Sequence, residues 1–135
     1  MENKCKSKAL PSVMALAYLG DARHSLYVRY RLVASGISKS ADLNREALKY
    51  VTAESQAKLY ETLAPLFTEE EESVFRRAFN STHLNKPKHI SGKDYRTATG
   101  IEAVIGMLCF EKNEDRLVFL LDTAYKEDEK NDTEN

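Results

Sequence analysis

At 135 residues the chain has room for one domain with a short tail and none for a second catalytic module. Apolar residues make up 42% and charged residues 30%, and no apolar run is long enough to span a bilayer, so a soluble protein is expected. A net charge of −1 argues against an indiscriminate nucleic-acid binder, although the charge is unevenly spread. Arg76, Arg77, Lys86, Lys88, Lys93 and Arg96 gather around one acid, Asp94, while the stretches 69–72 and 127–134 hold much of the opposing charge. A basic strip on a neutral protein follows from that distribution.

The two cysteines, Cys5 and Cys109, fall in unlike surroundings and make no disulfide framework, which leads to an expectation of reduced thiols and a cytosolic address. Lysines before an apolar stretch give the N-terminus a superficial likeness to a signal peptide, but the stretch runs into the charges at Asp21 and Arg23 and reads as mature sequence.

In chain order, residues 1–11 read as an N-terminal arm. A long helix is expected over about 12–35, where Leu16, Leu19, Leu26, Tyr30 and Val33 recur at helical spacing; Gly36 would stop it and Gly20 could bend it. Ser40 can cap a helix carrying Leu43, Ala47, Leu48 and Val51. After a break near Thr52, another helix with Ala57, Leu59, Tyr60 and Leu63 ends before Pro65. Thr68 followed by Glu71 matches a capping box, which makes the four glutamates at 69–72 a helix entrance rather than a metal site.

The polar stretch 81–96, with Pro87 and Gly92, reads as a long loop. From Asp94 to about Lys112 the apolar positions Ile101, Val104, Ile105, Leu108 and Cys109 trace the buried face of a core helix. Asn113 can cap a last helix with Leu117, Leu120, Leu121 and Ala124, and the residues 127–135 are too charged to bury and are expected to be a disordered acidic tail. No strand-like alternation appears, so the fold class is all-α, a bundle of about five to seven helices over 12–126.

Two carboxylates interrupt apolar helical neighbourhoods: Asp21 in ALAYLGDARHSLY and Glu102 in TATGIEAVIGML. A half-buried carboxylate costs free energy unless a salt bridge, backbone donors or a metal compensates it. Two accounts therefore stand side by side. In one the acids hold a cation; in the other Asp21 caps a helix after Gly20 and Glu102 pairs with an arginine such as Arg96. Cys109 reads as packing, and Ser25 beside His24 has no orienting context for a nucleophile. With five glycines and no phosphate-cradling motif, P-loop and Rossmann nucleotide binding are set aside. Lys86, Lys88 and Lys93, with His83 and His89, give a loop suited to following a phosphate backbone or simply to facing water.

At the same residues the chain resembles a known family. ALAYLGDARHSLYVRYRLV resembles the first signature of the ribonuclease III catalytic domain, and TATGIEAVIGMLCFEKN resembles its second acidic helix. The pattern most like it is the Mini-ribonuclease III branch, a catalytic domain without the double-stranded-RNA-binding domain. TAESQAKLYETL and TEEEESVFRRAFN also look like that branch, and the likeness extends over roughly 14–121.

The resemblance implies an all-α homodimer whose valley takes duplex RNA, with Asp21 and Glu102 as catalytic residues that bind Mg²⁺, or Mn²⁺ in its place. It further implies phosphodiester hydrolysis giving 5′-phosphate and 3′-hydroxyl ends, and a task in maturing large-subunit ribosomal RNA precursor, with a ribosomal protein as a further partner that presents the RNA. Arg77, Asn80, Lys86, Lys88, Lys93 and Arg96 are the expected RNA-binding residues. Where longer family members carry two further acids, this chain has Ala17 and Thr99, as the branch does. Its own departure lies at Arg77-Ala78-Phe79-Asn80, where the branch usually has Arg-Gly-Arg-Asn. Losing an arginine there is expected to alter the grip on RNA, and it motivates an alternative: a non-catalytic RNA-binding dimer of the same fold.

Overall fold

The computed structural model describes residues 9–81 and 91–134, with side chains to Lys126. Cys5, His83, Lys86, Lys88 and His89 lie outside the described residues. Among the described residues six α-helices follow one another: α1 Val13–Ala34, α2 Ser40–Val51, α3 Ala53–Leu63, α4 Glu69–Ser81, α5 Gly92–Phe110 and α6 Glu114–Glu134, with a 3₁₀ turn at Ala64–Leu66. Among the described residues there is no strand, and no helix is long and apolar enough to cross a membrane.

The local chemistry explains most boundaries. Ser12 Oγ accepts the Ala15 N–H at 3.1 Å and starts α1, which runs unbroken past Gly20 to Ser35; Gly36 then takes φ +102°, a left-handed exit that glycine adopts freely. Thr52 is extended and ends α2, while its Oγ1 accepts the Ser55 N–H at 3.2 Å and opens α3. At the start of α4, Thr68 Oγ1 accepts the Glu71 N–H at 3.1 Å and Glu71 Oε1 accepts the Thr68 N–H at 2.9 Å, the reciprocal pair of a capping box. Glu71 is also gripped by Arg116, whose Nε and Nη2 donate to its two oxygens at 2.9 and 2.8 Å and which also reaches the Leu66 carbonyl at 2.7 Å. Burial alone would raise the Glu71 pKa, but the hydrogen bonds from Arg116 and the Thr68 N–H hold it below its ordinary value.

Four expectations are corrected. Ser40 is the first residue of α2 rather than its cap, a position held by Lys39 with no side-chain bond. Helix α5 begins at Gly92, two residues before the expected Asp94, because the Ser91 cap, whose Oγ accepts the Asp94 N–H at 3.0 Å, draws residues 92–96 into helix; residues 82–90 of the expected loop lie outside the described residues. Helix α6 extends to Glu134, into the stretch 127–134 expected as a tail, whose glutamates and lysines favour helix. Finally, α5 is buried on all sides and not along one stripe: Thr97–Ile101 and Ala103–Leu108 are all enclosed.

Helix α5 is therefore the axis of the bundle, with α1, α3, α4 and α6 packed around it. Leu16, Val28, Leu59, Leu63, Val74, Ile101, Leu117 and Leu121 form one continuous core with it. Glycines set two close approaches. A Cβ on Gly20 would lie 1.7 Å from the Glu102 carbonyl oxygen, and one on Gly106 would lie 1.8 Å from that of Leu16, so α1 and α5 cross backbone against backbone.

Candidate active site

That crossing brings two acids from opposite ends of the sequence together. Asp21 follows Gly20 on α1, and Glu102 lies on α5 at the point where the two helices touch, so that the two carboxyl groups act on one another. Asp21 faces solvent while Glu102 is half-buried. Burial and the neighbouring Asp21 charge push the Glu102 pKa up to about 8; a hydrogen bond from Gln56 works against this rise.

The alternative account of these acids does not describe the geometry. Asp21 lies within α1, beyond its first turn, and Ser12 does the capping. Arg96 lies over the Phe79 ring, 5.9 Å from its centroid, and no ion pair joins a described lysine or arginine to Asp21 or Glu102. Ala17 and Thr99, at the positions of the longer enzymes' extra acids, are buried, and Thr99 Oγ1 donates into its own helix, to the Tyr95 carbonyl at 2.9 Å. Neither offers a ligand.

The donor set suits a hard divalent cation bound in the open. Two adjoining carboxylates carry more negative charge than the surroundings balance, while no described cluster contains three or more His, Cys, Asp or Glu side chains. Two carboxylates leave the rest of a cation's shell to solvent and substrate, a donor set that fits Mg²⁺, which retains waters and accepts oxygens from a phosphate. Beside Asp21 a cleft opens between Tyr18, Leu19, Ala22, Ser25 and Val51.

One site residue escaped the sequence reading. Gln56, only 2% exposed, donates from Nε2 to Glu102 Oε2 at 3.1 Å and to the Val51 carbonyl at 3.2 Å. The signal was available: Gln56, Leu59 and Leu63 share the buried face of α3, and an amide in an apolar stripe calls for a partner.

The expected RNA contacts are divided by the structure. Arg77 and Asn80 are exposed on the last turns of α4, and Lys93 and Arg96 are exposed on the first turns of α5, at the two ends of the segment 82–90. Lys86 and Lys88 belong to that segment. Phe79, where the branch usually has arginine, packs its ring on Phe75 at 6.0 Å and supports Arg96 from below. Away from the acids, Tyr27 Oη donates to Asp122 at 2.5 Å and accepts from Arg31 at 2.9 Å, and His24 Nε2 bonds Tyr125 Oη at 2.6 Å, tying α1 to α6.

Comparison with known proteins points the same way as the geometry. Residues 14–113 match the family described as the Ribonuclease III domain. The chain is 37% identical over 124 residues to the Mini-ribonuclease 3 of Brevibacillus brevis, covering 92% of each protein. It is 42% identical over 110 residues to that of Staphylococcus aureus, covering 80% of this chain and 82% of the relative. Among solved structures, the crystal structure of protein FN1578 from Fusobacterium nucleatum superposes with a TM-score of 0.76 at 30% identity, covering 85% of this chain and 93% of that one.

Proposed function

The chain belongs to the ribonuclease III family, in its Mini-ribonuclease III branch, and is an endoribonuclease; on that premise we propose that it hydrolyses double-stranded RNA with Mg²⁺ held by Asp21 and Glu102. The observation that carries this reading is the convergence of those two acids at the α1–α5 crossing, where Gly20 lets the backbones touch at Glu102.

When bound, Mg²⁺ supplies charge neutralisation for the reacting phosphate and activation of water. The protein's own groups do the rest. Asp21, exposed, and Glu102, recessed, hold the ion from two helices whose backbones cannot move apart without breaking the core. Arg77, Asn80, Lys93 and Arg96, with Lys86 and Lys88, grip the duplex by its phosphates, where charge and reach matter more than base-reading geometry. Products carry 5′-phosphate and 3′-hydroxyl ends.

The active form is a homodimer joined through α1. Met14, Tyr18, Leu26 and Tyr30 lie at four-residue multiples along the helix, with Val33 beyond them, all largely exposed; Tyr18 is 85% and Tyr30 72% accessible, far more aromatic surface than one helix ordinarily gives to water. The substrate proposed is large-subunit ribosomal RNA precursor in the cytoplasm, presented by a ribosomal protein. A gel assay on a uniform RNA duplex tests the core of this reading. Cleavage that needs Mg²⁺, stops with chelator, and is lost in folded Asp21→Asn and Glu102→Gln proteins is the expected result. Duplex binding without turnover would favour the non-catalytic dimer, for which the loss of an arginine at Phe79 is the motive.

A further inference from the structure

The Gln56 amide is oriented by chemistry that leaves no choice. The Val51 carbonyl can only accept, so the NH₂ group must face it, and the second hydrogen of that group is then directed to Glu102 Oε2. The remaining amide atom, Oε1, is buried with no partner. Packing gives no reason for this arrangement, because a methionine or leucine would fill the same space without stranding an acceptor. The bond to Glu102 does give a reason: it occupies one carboxylate oxygen and ties it to the junction between α2 and α3, an anchor independent of α1.

We propose that Gln56 is a positioning residue of the metal site, holding Glu102 Oε2 so that its other oxygen is offered to the cation in one fixed orientation. This rests on the reading of Asp21 and Glu102 as metal ligands. Outer groups that hydrogen-bond metal-binding carboxylates commonly change metal affinity by about 10–100-fold when removed.

The test measures Mn²⁺ binding to the full chain by the electron paramagnetic resonance signal of the free ion, together with kcat and KM on a duplex RNA. Wild type is expected to bind, and Asp21→Asn to lose binding. Gln56→Met should bind about tenfold more weakly, melt no lower than wild type in chelator, and lose kcat with KM little changed. A folded Gln56→Met protein with wild-type affinity and kcat overturns the proposal alone. A wild type without Asp21-dependent Mn²⁺ binding overturns both it and the reading beneath it. Should Gln56→Met fail to fold, the side-chain NH₂ resonances of native Gln56 are followed during Mg²⁺ titration: they should shift to saturation in wild type and stay still in Asp21→Asn, and a static amide in saturated wild type overturns the proposal.

Discussion

Glu102 and His24 make opposite demands on pH, and both can be read out without substrate. Glu102 has a folded pKa of about 8 against an ordinary 4.5, so between those values the folded protein holds a proton that the unfolded chain has released. Its contribution to stability is full below about pH 4.5 and is lost as pH rises through 8. In chelator, Glu102→Gln should therefore melt higher than wild type at pH 8, with the difference shrinking towards pH 5; adding Mg²⁺ should raise wild type and leave the variant unmoved. His24 is fully buried, and burial lowers its pKa from 6.5 to about 4, with Nδ1 left unpartnered. Here the unfolded chain binds the extra proton, so stability is lost as pH falls from 6.5 to 4, by up to roughly 3 kcal/mol. Melts at pH 7 and pH 4.5 should show that loss, and His24→Phe should reduce it.

At the scale of elements, the site depends on how closely two helices approach. Gly20→Ala and Gly106→Ala each force a methyl into a facing carbonyl, and overpacking of this kind costs about 1–3 kcal/mol. Thermal unfolding should show the cost at both positions. Cleavage should suffer more than stability at Gly20, where the displaced carbonyl is that of Glu102 itself. The end of α5 gives a prediction of opposite sign. Lys112 takes φ 60° so that the Asn113 N–H can reach the Leu108 carbonyl and its own N–H that of Cys109, a Schellman turn that glycine makes without strain. Lys112→Gly should gain about 0.5–1 kcal/mol in denaturant titration with no change in catalysis.

The whole molecule carries two faces that one chain leaves unexplained. Helix α1 is apolar on both sides: Leu16, Ala17, Gly20, His24, Tyr27 and Val28 meet the core, while Met14, Tyr18, Leu26, Tyr30 and Val33 face outward. If that outer stripe joins two copies, Leu26→Glu with Tyr30→Glu should give a folded monomer in sedimentation and little cleavage, because a valley built from two subunits would be halved. A monomeric wild type would contradict the homodimer. The basic ends of α4 and α5 make the second face. Arg77→Ala and Arg96→Ala should weaken duplex binding across sequences and each lower its salt dependence by about one counterion, as phosphate contacts do.

Local chemistry is what the sequence by itself determined. The starts at Ser12 and Thr52, the reciprocal Thr68 and Glu71 bonds and the exit at Gly36 depend on residues within a few positions of one another, so helix order and many helix ends were legible, whereas the Ser91 cap was hidden in a stretch read as loop. Asp21 and Glu102 were legible as acids in apolar company. Which apolar face was core was not: of Leu16, Leu19, Leu26, Tyr30 and Val33, read as one helical pattern, Leu16 alone is fully buried, because periodicity reports that a helix has an apolar side and not what covers it. Only the tertiary structure decided that Gly20 meets Glu102, that Gln56 reaches across 46 residues to hold it, and that α5 is enclosed all round. Those facts belong to contacts between distant segments, whose energies no single stretch of sequence contains.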